Sequence, residues 1–164
     1  MSMSDILCIY YSRTGHTKTV MTQIAKELGA ELVEVSDGVD YSGFRGAIRA
    51  GMDAMRKSTH PLRSFRTEKH LEEYRLILIG TPVWGGRCAA PIRGLLKRRG
   101  LEMSQVGYVL TRGSSHRYEE VYQQMDRYTK EKHILDVSLR PEDVGCAFWQ
   151  DKFVQEVQRY LTAE

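Results

Sequence analysis

The sequence has few cysteines, and the three that it has, Cys8, Cys88 and Cys146, lie far apart. An odd number of widely spaced cysteines argues against a disulfide framework, and the chain lacks the paired spacing of a structural zinc site. The histidines show no metal-ligand spacing either. We therefore predict reduced, mostly buried thiols and no metal site.

Long apolar runs are also missing from the sequence. No segment approaches the ~18 to 20 apolar residues that a membrane span requires. The first residues, MSMSDILC, lack the basic region and the long apolar run of a secretory signal. These absences predict a cytoplasmic protein with no membrane span.

The chain has no excess of acidic residues, and its formal net charge is +3. Basic residues are concentrated in a middle segment from Arg45 to Lys69 and in a cluster at positions 97–99. No aromatic-interleaved basic motif of the kind that binds nucleic acid accompanies this charge. We therefore predict no nucleic-acid partner and interpret most of these charges as solvated helix faces.

Segments typical of strands alternate with segments typical of helices along the whole chain. Strands are predicted at residues 6–11, 31–35, 75–80, 106–111 and 134–139, and helices at 16–28, 44–57, 90–99, 118–129 and 149–161. Five strands alternating with helices predict an α/β fold, a three-layer α/β/α sandwich around a five-stranded parallel sheet. The length of 164 residues suits a single domain that covers positions 1–164.

The second predicted helix carries large apolar side chains at steps of four, four and three residues, namely Phe44, Ile48, Met52 and Met55. A stripe of Met and aromatic side chains at helical spacing is far more often core than a ligand site. We therefore predict that this stripe is buried. Gly46 and Gly51 are expected to weaken the helix.

Three of the predicted strands end in loops rich in glycine and hydroxyl groups. The loops read SRTGHT at 12–17, TPVWGGR at 81–87 and TRGSS at 111–115. Ligands of open parallel sheets bind beyond the carboxyl ends of the strands, where the strand order reverses. If the strand order is 2-1-3-4-5, the three loops meet at one edge, and a single site accounts for all of them.

The first loop has the chemistry of a phosphate site. It offers the hydroxyls of Ser12, Thr14 and Thr17, together with backbone N–H groups at the start of a helix. The first N–H groups of a helix have no partner inside it, and the helix dipole favours negative charge there.

The second and third loops suit a flat ring. Trp84 provides an aromatic plane, and it is flanked by Pro82 and two glycines that let the backbone approach a flat ligand closely. Gly113 in the third loop is surrounded by backbone polar groups suited to the edge of a heterocycle. One phosphate and one planar ring, bound by neutral donors, indicate a mononucleotide.

The segments YYSRTGHTKTV at 10–20 and GTPVWGG at 80–86 resemble the phosphate loop and the flavin loop of the flavodoxin family. The resemblance spans essentially the whole chain, and it implies a flavodoxin-like sheet of order 2-1-3-4-5 with FMN as the cofactor. It also implies three groups of cofactor-binding residues. These are Ser12, Arg13, Thr14, Gly15, His16 and Thr17 at the phosphate, Thr81, Pro82, Val83, Trp84, Gly85 and Gly86 at the flavin ring, and Thr111, Arg112, Gly113 and Ser114 towards its pyrimidine end.

The chain departs from the family pattern in two respects. His16 stands where the family usually has asparagine, and the chain is slightly basic, whereas flavodoxins that shuttle electrons are typically acidic. The resemblance implies electron transfer through bound FMN to a redox partner protein, and it assigns no catalytic residue.

The alternative is an enzyme, an FMN-dependent NAD(P)H oxidoreductase that acts on quinones or similar acceptors. In that case the basic middle segment would receive the phosphate of a pyridine nucleotide. Either role is compatible with a monomer or a homodimer.

Two other functions on related α/β sheets are disfavoured by the residues. A phosphatase that used Cys8 as its nucleophile would need this cysteine in the phosphate loop and an arginine six positions later. Cys8 instead lies inside the predicted strand, and Arg13 follows it by five positions. A phospho-receiver domain would need an acceptor aspartate where this strand ends in Tyr11 and Ser12.

Overall fold

The computed structural model describes residues 4–163, in which five parallel strands are flanked by helices on both faces of the sheet. The strands are β1 Ile6–Tyr10, β2 Glu31–Glu34, β3 Leu76–Trp84, β4 Arg87–Cys88, β5 Val106–Thr111 and β6 Leu135–Leu139. The helices are α1 His16–Leu28, α2 Gly43–Arg56, α3 Ala90–Arg99, α4 Glu120–Asp126 and α5 Cys146–Thr162. Residues 1–3, on which the secretory-signal prediction partly depends, lie outside the described residues.

The sheet has the order β2-β1-β3-β5-β6, and the short β4 pairs only with β3. Without β4, this is the predicted order 2-1-3-4-5. All neighbours on the main path are parallel, as Leu7 opposite Glu31 and Ile77 opposite Val106 illustrate. The reversal of strand order therefore falls between β1 and β3, and the loops after these two strands start side by side.

Side chains of β1 alternate between two apolar layers, and this alternation produces the three-layer architecture. Leu7 and Ile9 belong to a core shared with α2, α3 and α4, whereas Cys8 and Tyr10 belong to a core shared with α1 and α5. Every residue of β1 is buried because both faces of the sheet are covered by helices. The predicted fold class is confirmed.

Local signals in the sequence place several element ends correctly. Helix α1 ends before Gly29, which adopts a left-handed conformation with φ 64° and whose N–H bonds to the carbonyls of Ala25 and Lys26. Helix α3 carries Pro91 in its first turn, where a proline costs no hydrogen bond. The bounds of α1, α3 and β5 are those predicted.

Strand β3 continues four residues beyond its predicted end at position 80 and forms a tight hairpin with β4. Trp84 pairs with Arg87, and the turn between them consists of Gly85 and Gly86 with φ values of 56° and 74°. A two-residue hairpin with positive φ at both positions is a glycine-favouring turn. The segment predicted to be irregular is therefore an extended strand followed by a turn. Helix α4 is shorter than predicted and α5 begins earlier, at Cys146.

The prediction for the apolar stripe of α2 is wrong. Phe44 is 81% exposed, Ile48 50%, Met52 43% and Met55 80%. The helix packs instead through the small residues Gly46, Ala50 and Ala54 on its other side.

Gly46 explains why this side of α2 faces inwards. A Cβ atom at this position would lie 1.9 Å from the carbonyl carbon of Tyr41, so the helix comes close to the preceding backbone only because the residue is glycine. Asp53 is also buried on this side and accepts a hydrogen bond of 2.7 Å from the hydroxyl of Tyr41. The glycine expected to weaken the helix is therefore required for its docking.

The three cysteines are free thiols, and two of them are fully enclosed. Cys8 and Cys88 are buried, whereas Cys146 at the start of α5 is partly exposed, which agrees with the prediction of mostly buried thiols. Over residues 4–163, no helix combines the length and the apolar character needed to cross a bilayer.

Candidate functional site

The loops that follow β1, β3 and β5 line one cleft of about 240 Å³ at the carboxyl edge of the sheet. The predicted residues that line it are Arg13, Thr14, His16, Thr17, Pro82, Val83, Trp84, Thr111, Arg112 and Gly113. The structure therefore brings the three predicted loops together. The other predicted residues are not among those lining the cleft, namely Ser12, Gly15, Thr81, Gly85, Gly86 and Ser114.

Ser12 organises the loop before α1 from inside. Its Oγ accepts hydrogen bonds from the N–H groups of Gly15 at 3.0 Å and Lys18 at 3.2 Å. Gly15 itself has φ 100°, a conformation that L side chains rarely adopt. Three neighbouring backbone N–H groups have no acceptor within residues 4–163, those of Thr14, His16 and Thr17. Free donors at the start of a helix of 13 residues form a site that attracts an anion.

A buried hydrogen bond joins the first loop to the third. The hydroxyls of Thr17 and Thr111 are 2.7 Å apart, and both side chains are almost fully enclosed. Sequence reasoning assigned the Thr17 hydroxyl to a phosphate. In the structure this hydroxyl also ties the start of α1 to the end of β5, which fixes the spacing between the two sides of the cleft.

Trp84 lines the cleft but is only 7% exposed, because two tyrosines pack around its ring. The ring of Tyr11 meets it edge-on at 5.6 Å and 89°, and the ring of Tyr41 lies at 4.6 Å with a tilt of 55°. Burial raises the pKa of Tyr11 to about 12, and burial likewise raises the pKa of Tyr41, so both phenols are neutral near pH 7. The indole is therefore held in a fixed orientation by residues that sequence reasoning did not select.

Arg13 connects the cleft to α2. Its Nε donates to the carbonyl of Tyr41 at 2.8 Å, and its Nη2 donates to the carbonyl of Gly43 at 3.1 Å. The guanidinium thus stays at one lip of the cleft and, at the same time, fixes the backbone where α2 begins.

Arg112 is fixed in a similar way on the opposite side. Its Nε donates to Ser138 Oγ at 2.8 Å and its Nη1 donates to the carbonyl of Ser114 at 2.5 Å. Its backbone N–H also bonds to the carbonyl of Leu139 in β6. Ser114 therefore orients a residue of the cleft.

Thr81 is a supporting residue for the second loop. Its side chain is completely buried, and its Oγ1 donates to the carbonyl of Pro82 at 2.8 Å and accepts from the N–H of Ala89 at 2.9 Å. The hydroxyl links the end of β3 to the start of α3 and so positions the hairpin that carries Trp84.

Sequence reasoning missed two residues of the cleft, Pro141 and Glu142. Both belong to the loop after β6, whose last residue is Leu139. The available signal was topological: the carboxyl end of the last strand lies at the same edge of the sheet as the other three. This loop lacks the glycines and hydroxyls that marked the others.

Cys8 does not take part in the site. It lies in the middle of β1 with no exposed surface, and burial raises its pKa to about 12. A neutral, enclosed thiol cannot act as a nucleophile, which agrees with the rejection of the phosphatase alternative.

Known structures provide a comparison for this arrangement. A flavoprotein from Lactobacillus acidophilus NCFM, solved in complex with FMN, is 25% identical over 90% of this chain and 99% of its own, with a TM-score of 0.66. A candidate flavoprotein from Bacteroides uniformis is 18% identical over 96% of this chain and 99% of its own, with a TM-score of 0.75. A WrbA-like flavodoxin from Agrobacterium tumefaciens is 12% identical over 96% of this chain and 99% of its own, with a TM-score of 0.52.

No protein-family model matches the chain. The similar structures nevertheless cover nearly the whole chain, with TM-scores of 0.66 and 0.75 for the first two, so the chain shares their overall fold. The chain has a flavodoxin-like fold.

Proposed function

We propose that this protein binds FMN in the cleft and transfers electrons through it. The observation that carries the proposal is the meeting of unpaired backbone N–H groups at the start of α1 with the indole of Trp84 in one cleft. The similarity to a flavoprotein solved in complex with FMN supports the same ligand.

The residues present fit the two ends of this cofactor. The N–H groups of Thr14, His16 and Thr17 would hold the phosphate, with the positive end of the α1 dipole behind them. Trp84 on one side and Gly113 on the other would hold the ring system. A Cβ at Gly113 would meet no atom within 4 Å, so this side of the cleft is open to a flat group.

Bound FMN would supply the one- and two-electron chemistry, which the protein side chains lack. The protein's part is to orient the cofactor and to limit its contact with water. The tyrosines around Trp84 keep the indole in place, and the Thr17 to Thr111 hydrogen bond fixes the width of the cleft. The guanidinium groups of Arg13 and Arg112 both line the cleft and favour an anionic ligand there.

Titration of the flavin-free protein with FMN tests the proposal directly. We expect quenching of FMN fluorescence with one equivalent bound. Gly15→Val should weaken binding about 100-fold or more, because a β-branched residue does not tolerate φ 100° and the phosphate loop must rearrange. Gly29→Val is the matched control, since it introduces the same type of strain at the other end of α1 and leaves the cleft intact. A protein that takes up no FMN would contradict the proposal.

One observation keeps a reductase as the second candidate. Arg45, Arg49 and Arg56 are exposed on α2, whose first residue accepts a hydrogen bond from Arg13 of the cleft, and guanidinium groups are suited to a nucleotide phosphate. Anaerobic titration of the FMN-loaded protein with NADH and NADPH separates the two roles. Rapid loss of the oxidised flavin absorbance, followed by recovery with a quinone, would assign reductase activity. Flavin that responds only to a one-electron donor would assign an electron carrier.

A further inference from the structure

The exposed side of α2 carries the large apolar residues of this helix. Four of them form one row, namely Phe44, Ile48, Met52 and Met55, with exposed fractions of 81%, 50%, 43% and 80%. The row extends for about 16 Å along the helix, from the residue positions and the helical rise. Contiguous exposed apolar surface of this kind marks an interaction site.

The opposite side of α2 is held firmly, so this exposure does not result from loose packing. Gly46 lies against the backbone of Tyr41, and the hydroxyl of Tyr41 donates to Asp53 at 2.7 Å. Arg93 in α3 donates from its Nη2 to the carbonyl of Asp53 at 3.0 Å. The apolar row is therefore the crest of a fixed helix on the protein surface.

A row of arginines runs beside the apolar row. Arg45, Arg49 and Arg56 each follow one of its residues in the sequence, and successive residues of a helix are rotated by about 100°. All three arginines are exposed. The surface is therefore apolar along its crest and positive along one flank.

The acidic and basic residues that are exposed between positions 41 and 67 are all basic. The segment contains six exposed basic residues, namely Arg45, Arg49, Arg56, Lys57, Arg63 and Arg66. Its one acidic residue is Asp53, which is buried and bonded to Tyr41. Arg49 lies 3.9 Å from Asp53, and within residues 4–163 the other five basic residues have no carboxylate partner. This charge is complementary to a negative surface.

The side chains of α2 favour a lipid surface over an acidic protein as that negative surface. Between Gly43 and Arg56 the sequence has no Ser, Thr, Asn, Gln or Tyr, so the exposed face offers only apolar groups and guanidinium groups. Protein interfaces carry about one hydrogen bond per 100 to 200 Å². An anionic lipid surface instead provides acyl chains for the apolar row and phosphates for the arginines.

We propose that α2 docks this protein on a lipid surface that contains anionic phospholipids. The helix lies in the membrane plane, with the apolar row at the boundary between headgroups and acyl chains and the arginines at the lipid phosphates. The docking is peripheral, because the 14 residues of α2 are fewer than the ~20 that a membrane span requires. It goes beyond the proposed function and does not depend on FMN.

Co-sedimentation with lipid vesicles tests the docking. We expect the unmodified chain to bind vesicles of equal parts phosphatidylcholine and phosphatidylglycerol about 100-fold more tightly than vesicles of phosphatidylcholine alone. Raised salt should weaken the binding, because it screens the attraction between the basic residues and the lipid phosphates. A chain that binds neither kind of vesicle, or that binds both equally, would overturn the proposal.

Truncation of the apolar row tests its insertion. Phe44→Ser with Met55→Ser should weaken binding to the mixed vesicles about 100-fold, since these are the two most exposed side chains of the row. Leu101→Ser is the matched control, because Leu101 is 74% exposed but lies outside α2, and it should bind as the unmodified chain does. Unaltered far-UV spectra and melting curves verify that the variants fold. Full binding by the double variant would contradict the insertion of this row.

Neutralisation of the arginine flank tests the contact with phosphates. Arg45→Gln with Arg56→Gln should weaken binding to the mixed vesicles about tenfold. Lys97→Gln with Arg98→Gln is the matched control, because it changes the net charge equally at two exposed positions at the end of α3 and should leave binding unchanged. Equal losses in the two pairs would mean that net charge and not the α2 face governs binding, which would refute the proposal.

An environment-sensitive dye identifies the surface that enters the lipid. In a Cys146→Ser background, a dye attached through Phe44→Cys should shift its emission to the blue when the mixed vesicles are added. The same dye attached through Leu101→Cys should not shift. The opposite pattern would place a different surface on the membrane and reject α2 as the docking helix.

Two further measurements cover the other possible occupants of this face. Sedimentation equilibrium without lipid should show no dimer that the Phe44→Ser, Met55→Ser variant disrupts, and polyglutamate should bind more weakly than the mixed vesicles. A dimer of that kind without vesicle binding would assign the face to a second copy of the chain. Polyglutamate binding as tight as vesicle binding would assign it to an acidic protein, and either result would overturn the proposal.

Discussion

Helices α2 and α5 both carry apolar side chains at helical spacing, yet they bury opposite kinds of residue. In α5 the large side chains Phe153, Val154 and Val157 face the sheet, whereas in α2 the large side chains face solvent and the small ones face inwards. Helical periodicity in the sequence identifies a stripe of apolar side chains along one side of a helix. Which stripe is buried depends on how closely the helix approaches its neighbours, and on α2 that distance is set by Gly46.

The difference also shows in how the two helices are held. Helix α5 is held mainly by apolar contacts with α1 and the sheet. Helix α2 is held largely by polar groups: Arg13 donates to the carbonyls at its start, and Asp53 accepts from Tyr41. A helix fixed from one side by hydrogen bonds can keep its large apolar side chains free for another purpose.

Truncation of one large aromatic residue on each helix should give the largest contrast. Phe153→Ala should lower the free energy of unfolding by about 3 to 5 kcal/mol, because it leaves a cavity under α5. Phe44→Ala should change it by less than about 0.5 kcal/mol, since the side chain is exposed. Urea unfolding of both variants at the same low protein concentration measures the two losses. Similar losses in the two variants would mean that α2 packs as the sequence predicted.

Addition of one methyl group should distinguish the two glycines of α2. Gly46→Ala places a Cβ atom 1.9 Å from the carbonyl carbon of Tyr41, so the helix must shift, at a cost of about 3 kcal/mol. Gly51→Ala meets no atom within 4 Å and should stabilise the protein by up to about 1 kcal/mol through helix propensity. Thermal unfolding of both variants tests this, and a stabilising Gly46→Ala would contradict the close docking described for α2.

Removal of a buried polar group should affect α2 more than α5. Asp53→Ala leaves the Tyr41 hydroxyl without its closer acceptor and should cost about 2 kcal/mol. Gln150→Ala removes a hydrogen bond of 2.8 Å from Gln150 Nε2 to Gln23 and should cost about 1 kcal/mol. Equal losses in urea unfolding would show that α2 depends no more on polar anchoring than α5 does.

Alkaline pH should also weaken the docking of α2, by less than the substitutions described above. Burial raises the pKa of Tyr41 above its ordinary value of 10.0, so the folded protein retains a proton that the unfolded chain loses near pH 10. The stability contributed by Tyr41 is complete below pH 10 and declines as the pH rises towards the pKa of the folded state. We expect the free energy of unfolding to fall less steeply above pH 10 in Tyr41→Phe than in the unmodified chain. Parallel pH profiles of the two proteins would contradict this origin of the effect.

Much of the fold could be predicted from local signals. Gly29 stops α1, Pro91 starts α3, and the apolar run of β1 indicates a strand covered on both faces. The convergence of the three loops followed from the strand order, which the structure confirms. These features depend on short stretches of sequence or on simple topology.

The features that could not be predicted depend on contacts between distant segments. The inward face of α2 is set by the backbone at Tyr41, and the orientation of Trp84 is set by two tyrosines that come from separate parts of the chain. Glu142 reaches the cleft because the loop after β6 folds over its edge. The roles of the cleft residues in holding a cofactor stay predictions until FMN binding is measured.

Arg93, which is almost fully buried in α3, has a consequence for how this protein can change. Its guanidinium donates to the carbonyls of Cys88, Asp53 and Ser58 and thereby secures the end of α2 from beneath. Because these hydrogen bonds are made to main-chain oxygens, they do not depend on which side chains lie on the outer face of α2. Over evolutionary time, or in a mutational library, the residues on that outer face can therefore be substituted and can acquire new binding partners, while the fold underneath is retained.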